Sequence, residues 1–122
     1  MPRSRLMDAD AFWELIERSG READTKDGRL AWLDGELSRC SAEEIVDFET
    51  WSTSAANQGC TWDMYAAYWS VFGMGSTDGF EYFVYWLMSL GREAFERVTE
   101  CPDRVIELSQ VLHVLKLRRT RL

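Results

Sequence analysis

Trp62, Asp63, Tyr65, Tyr68, Asp78, Phe80, Glu81, Tyr82 and Tyr85 crowd aromatic faces and carboxylates into one short reach of chain. Aromatic faces and ionised carboxylates both attract cations, so the chemistry this mixture offers is the binding of a basic peptide, an amine or an Arg side chain. The candidate ligand- or partner-binding set is Trp62, Asp63, Tyr65, Tyr68, Asp78, Glu81 and Tyr82. The same spacing also reads as helical core, with the polar atoms of Tyr and Trp satisfied by neighbours. Asp63 follows Thr61 and Trp62, and Asp78 follows Thr77, so each carboxylate can sit in the first turn of a helix and stabilise it by about 0.5 to 2 kcal/mol as a cap. A sharper alternative brings Asp63, Asp78 and Glu81 together as a general base or a hard-metal site. No ligand spacing marks such a site, so no metal is assigned and the catalytic residues stay unknown.

Other chemistry finds little support. His113 is the only histidine, and no nucleophile or carboxylate cluster lies near it in sequence, which demotes Ser-His-Asp and Cys-His catalysis. Cys40, Cys60 and Cys101 are odd in number and have no C-x-x-C pairing, so reduced and mostly buried thiols are expected. Gly73, Gly75 and Gly79 approach the spacing of a phosphate-binding loop. The last interval is one residue too long, though, and a helix precedes it where a strand is needed. No cofactor is expected.

The charge pattern agrees with a cation-binding surface. Fourteen Lys and Arg against twenty-one Asp and Glu give a formal charge of -7. From Cys40 to Gly91 there is no Lys or Arg, while Glu43, Glu44, Asp47, Glu49, Asp63, Asp78 and Glu81 all fall there. Nothing in that stretch can neutralise phosphates, and no nucleic acid is expected as partner. Lys116, Arg118, Arg119 and Arg121 crowd the end, where they could touch nucleic acid or a membrane surface, though complementing a helix dipole is the favoured reading. With 122 residues, 46% of them hydrophobic and six of them Trp, one core is expected. The opening MPRSRLMDADAF lacks an apolar signal core and no run is long enough to span a membrane, so a cytoplasmic protein is expected.

The elements that must position these residues read as helices throughout. Asp8 and Asp10 precede Phe12, Trp13, Leu15 and Ile16, predicting a helix that Gly20 ends near Ser19. READTKDG reads as a loop, and RLAWLDGELSRC as a helix with Leu30, Leu33 and Leu37 on one face. Ser41 and Glu44 form a capping box before Ile45, Phe48, Trp51 and Ala55. Gly59 interrupts, Thr61 caps again, and Trp62, Tyr65, Ala66, Trp69 and Phe72 form the apolar stripe of the next helix. GMGST, residues 73–77, is the turn to a helix carrying Phe80, Phe83, Val84, Leu87 and Met88, with Gly91 at its C-terminal cap. REAFERVT is a short helix, and Pro102 opens a last one with Val105, Leu108, Leu112 and Leu115 along its face. The fold class is therefore all-α, a single compact domain of five to seven helices over residues 7–118, with residues 1–6 an N-terminal extension.

The run TWDMYAAYWSVFGMGSTDGFEYFVYWLMSLGREAFERV resembles the central motif of an uncharacterised bacterial domain family common in actinomycetes. The likeness rests on Trp62, Asp63, Ala66, Ala67 and Tyr68, then Ser76, Asp78, Gly79, Phe80, Phe83, Trp86 and Leu87, then Gly91 and Arg92. The opening from Met7 to Ser19 is similar too, and the likeness covers most of Met7 to Asp103. Thr77 stands where the family has the first of two aspartates, the loop lacks the family's cysteine, and VLHVLKLRRTRL differs from its acidic ending. The resemblance implies a helical fold and transfers no activity, cofactor or substrate.

Three readings of function follow. The first is a small cytoplasmic binding or regulatory module whose acidic aromatic surface engages a basic protein partner without chemistry, an immunity-like inhibitor being one form. The alternative is a carboxylate-based enzyme or small-ligand receptor using Asp63, Asp78 and Glu81. The third is self-association through Val105, Leu108, Leu112 and Leu115.

Overall fold

The computed structural model describes residues 6–73 and 77–112. Among them are six α-helices of nine residues or more, one 3-10 helix, a short helical stretch at 109–112 and no strand: α1 (Ala9–Glu22), α2 (Lys26–Leu37), α3 (Ala42–Gly59), α4 (Trp62–Phe72), α5 (Thr77–Ser89), α6 (Arg92–Glu100) and the 3-10 segment Pro102–Glu107. The protein is an all-α domain. No helix among the described residues is long and apolar enough to cross a membrane.

Helix starts follow local hydrogen-bond chemistry, because the first N–H groups of a helix have no partner within it. The Asp8 carboxylate accepts from the Ala11 N–H at 2.8 Å, and the Thr61 hydroxyl from the Met64 N–H at 3.1 Å. At α3 the capping box closes in both directions, with Glu44 N–H donating to Ser41 Oγ (3.2 Å) and Ser41 N–H donating to the Glu44 carboxylate (3.0 Å). α6 begins at Gly91 (φ +108°), which has no side chain to cap with; Glu17 of α1 takes over that role and accepts the Arg92 N–H at 3.1 Å.

Several expected boundaries differ: Thr77 opens α5 instead of closing the turn, α2 ends at Leu37 and not at Cys40, and Gly91 stands at the N-cap of α6. α1 runs two residues past Gly20, to Glu22. The expected loop over 21–28 shrinks to residues 23–25, because Thr25 caps α2 by accepting the Gly28 N–H at 3.0 Å. The last helix is broken: Pro102–Glu107 is 3-10, Leu108 is extended (ψ 130°), and helix resumes at Ser109. Val105 and Val111 are buried there while Leu112 is half exposed, so Val105, Leu108 and Leu112 form no single outward face. Leu115, needed for that stripe, lies outside the described residues, as do His113 and the basic residues Lys116, Arg118, Arg119 and Arg121.

The core is built by α5, whose Phe80, Phe83, Val84, Leu87 and Met88 are all buried, with Phe12, Met64, Phe95, Val98 and Val105 packed into the same cluster. α3 reaches α5 at its last residue. A Cβ on Gly59 would come within 2.8 Å of Val84 Cγ1 and 3.5 Å of the Phe95 ring. Val84 is β-branched and buried, so it cannot turn aside. Gly59→Ala is expected to cost about 1 to 3 kcal/mol by overpacking, read as a fall in thermal midpoint; an unchanged midpoint would mean that the two helices can separate freely.

Long-range polar links complete the frame. Arg29 of α2 donates to the Ile16 carbonyl (3.1 Å), Ser19 Oγ (3.1 Å) and the Ser89 carbonyl (2.9 Å), joining the ends of α1 and α5. Arg92 pairs with Asp10 (2.6 Å) and Glu96 (2.9 Å), holding α6 to α1.

Candidate functional site

α4 and α5 carry all seven candidate residues, and their starts lie against each other. The Tyr65 and Phe80 rings meet edge to face at 5.1 Å, and Tyr68 packs on Phe80 at 5.7 Å and on Phe83 at 5.4 Å. Glu81 reaches the α3–α4 junction: burial pushes the Cys60 thiol up from its ordinary value, and the nearby Glu81 carboxylate adds to the rise. At α4's far end Gly73 takes the left-handed conformation (φ +68°) and its N–H returns to the Trp69 carbonyl at 2.7 Å.

The face that α4 buries is not the one its stripe suggested. Met64, Tyr68 and Val71 point inward, whereas Trp62 is 87% exposed and Trp69 is 52% exposed. Tyr65 lies between these two indoles, its ring 6.4 Å from each. Trp62 and Trp69 thus form an outward aromatic edge with half-buried Tyr65 at its middle. Trp69, read from sequence as part of the packed stripe, belongs to this edge. The signal was available in Met64, Tyr68 and Val71, an equally good helical stripe one step round the helix.

The candidate residues divide accordingly. Trp62 and Tyr65 share the α4 edge, and Glu81 stands near its start. Tyr68 is 7% exposed and serves the core. Asp63 is exposed but lies two positions before Tyr65, roughly 200° round a helix of 3.6 residues per turn, and so points away from the contact with α5. Asp78 and Tyr82 are exposed one turn apart on α5. Tyr82 already has a cation, for Lys26 Nζ of α2 lies 5.9 Å over its ring. The stretch that lacks basic residues in sequence therefore borrows Lys26 and Arg29 from α2 in space.

Among the described residues no three of His, Cys, Asp and Glu group in a way that could hold a metal ion, so Asp63, Asp78 and Glu81 form no such centre. Cys60 and Cys101 are exposed and Cys40 half buried, contrary to the expected buried thiols. A thiol raised as Cys60 is stays protonated at neutral pH and is a poor nucleophile. Two open surface hollows involve other residues, one along α3 at Glu49, Thr50, Thr53, Ser54 and Asn57, another between α6 and the 3-10 segment. Gly79 lies within α5, so it cannot close a phosphate loop with Gly73.

No curated protein and no solved structure matches the chain. A family model does, described as a protein of unknown function (DUF4240), and its match begins at Met7, where the sequence motif begins, and continues beyond Asp103 through most of the divergent ending to residue 119. With nearly all its length matched, the chain belongs to the DUF4240 family.

Proposed function

We propose that this protein is a small cytoplasmic binding or regulatory module that engages a basic protein partner through the aromatic edge of α4, without performing chemistry itself. The observation that carries the reading is Trp62, 87% exposed at a helix start, with half-exposed Trp69 on the same side. Single exposed apolar residues are ordinary, but two indoles around a tyrosine make a contiguous patch, and Trp and Tyr are the residues that most often anchor protein interfaces. The acidic balance supports a basic partner: the chain carries a formal charge of -7, and Glu81 lies near the edge. The carboxylate-enzyme alternative requires Asp63, Asp78 and Glu81 to converge, and Asp63 diverges from the others by helical geometry.

The double variant Trp62→Ala/Trp69→Ala separates binding from folding. Both side chains are at least half exposed, so unfolding free energy should change by less than about 1 kcal/mol. Capture of a specific basic protein from a bacterial lysate, strong at low salt and weaker as salt rises, should be lost in the variant. Equal capture by the variant and the parent protein would refute the assignment of this edge.

A further inference from the structure

The contacts within the molecule indicate which basic group the edge prefers. Among the described residues two cations lie over aromatic rings: the Arg18 guanidinium over the Trp32 indole at 5.1 Å, and the Lys26 ammonium over the Tyr82 phenol at 5.9 Å. The indole thus takes the guanidinium, at the shorter distance. The physical reason is general, since a guanidinium is planar and weakly hydrated and so stacks on a flat ring, while an ammonium keeps its water. Among the described residues no cation lies over the Trp62 or Trp69 indole, and exposed Glu81 follows Phe80, whose ring meets Tyr65 at 5.1 Å, so its carboxylate is placed on the neighbouring helix to accept a guanidinium's N–H groups. The two indoles are seven residues apart in one helix, about 10 Å along its axis at 1.5 Å per residue. In a polyproline II segment, with about three residues per turn and about 3.1 Å per residue, side chains three residues apart stand on one face about 9 Å from each other.

We propose that the α4 edge of Trp62, Tyr65 and Trp69, with Glu81 on the neighbouring helix, docks a protein segment in polyproline II conformation carrying two arginines three residues apart, one guanidinium over each indole. This inference rests on the docking reading above and narrows it to one partner chemistry.

The test uses the full chain with three synthetic peptides in a glycine–serine background: two arginines three apart, two lysines three apart, and two arginines adjacent. Calorimetry gives the affinity, and the assigned indole N–H resonances of Trp62 and Trp69 report the place. The spaced arginine peptide should shift both resonances and bind roughly fivefold or more tightly than either other peptide. Glu81→Gln should weaken it, and Trp62→Ala/Trp69→Ala should abolish it without loss of the folded spectrum. Equal binding of the lysine peptide would overturn the arginine inference and leave the docking reading standing. So would failure of every peptide while lysate capture still depends on Trp62 and Trp69. Failure of the peptides together with failure of that capture would remove both.

Discussion

Asp47→Ala will lower the unfolding free energy by about 3 kcal/mol, because it strips the acceptor from two backbone donors in a dry place. Asp47 is fully buried in the second turn of α3. Its Oδ2 accepts the Leu6 N–H at 2.8 Å and the Met7 N–H at 3.1 Å, and one turn further on Trp51 Nε1 donates to the Met7 carbonyl at 2.8 Å. α3 thereby grips the chain just before α1 begins, and holds the buried Met7 side chain in the core. Alanine removes a charged acceptor and leaves a void where the carboxylate stood. Two N–H groups would then each lose a bond worth about 1.5 to 3 kcal/mol to a charged partner, offset in part where water can reach Leu6. Asp47→Asn keeps one oxygen acceptor and should lose about half as much. Urea unfolding followed by circular dichroism reads both values; a loss under about 1 kcal/mol for the alanine variant would mean that the grip contributes little.

Asp47 also marks the limit of what the linear chain discloses. Features closed within one turn were legible: the Ser41 and Thr61 caps, the Ser41–Glu44 box, the buried stripe of α5 and the short α6 all depend on residues three or four apart, while Asp8, expected in the first turn of α1, caps it instead. An acid in a helix that also carries Glu43, Glu44 and Glu49 looks like one more solvated charge. The Leu6 and Met7 N–H groups it accepts from are forty-one and forty residues away, and no local pattern joins them. Arg29 is a similar case, since its bond to the Ser89 carbonyl crosses sixty residues.

The candidate site was half legible for a related reason. Residue types and the deficit of cations directed attention to α4 and α5, but α4 is apolar almost all round, and such a helix offers two stripes of equal merit. The choice falls to tertiary packing: Tyr68 fills the space against Phe80 and Phe83, which turns Trp62 and Trp69 outward. Tyr68 and Trp69 thereby exchange the roles their order in the chain suggested. Lys26 over Tyr82 could not be foreseen at all, because it depends on how α2 folds back.

Phe95→Ala is expected to be costlier still, at about 4 kcal/mol, within the range for removing a fully buried phenylalanine. Phe95 is the fourth residue of α6 and has no exposed surface. Its ring lies 5.4 Å from that of Trp13 in α1 and borders the end of α3 at Gly59, so three helices meet on it. None of these neighbours can readily fill the gap. Trp13 is fixed edge to face against Phe12 at 5.2 Å, and α6 is anchored by the Glu17 bond to the Arg92 N–H and by the Arg92–Asp10 pair. The cavity should therefore stay open, which adds its own penalty to the lost transfer energy. Against a total stability of about 5 to 15 kcal/mol for a domain, the variant would stand near the edge of folding, with its midpoint lowered by about 15 °C. Phe95→Leu retains most of the volume and should lose less than half as much. Trp62 and Trp69 are exposed on α4 whereas Phe95 is wholly interior, so below its lowered midpoint the alanine variant should still bind a basic partner with unchanged affinity. Loss of binding in protein shown to be folded would mean that α6 positions the edge through the 3-10 segment, which packs against both α4 and α6.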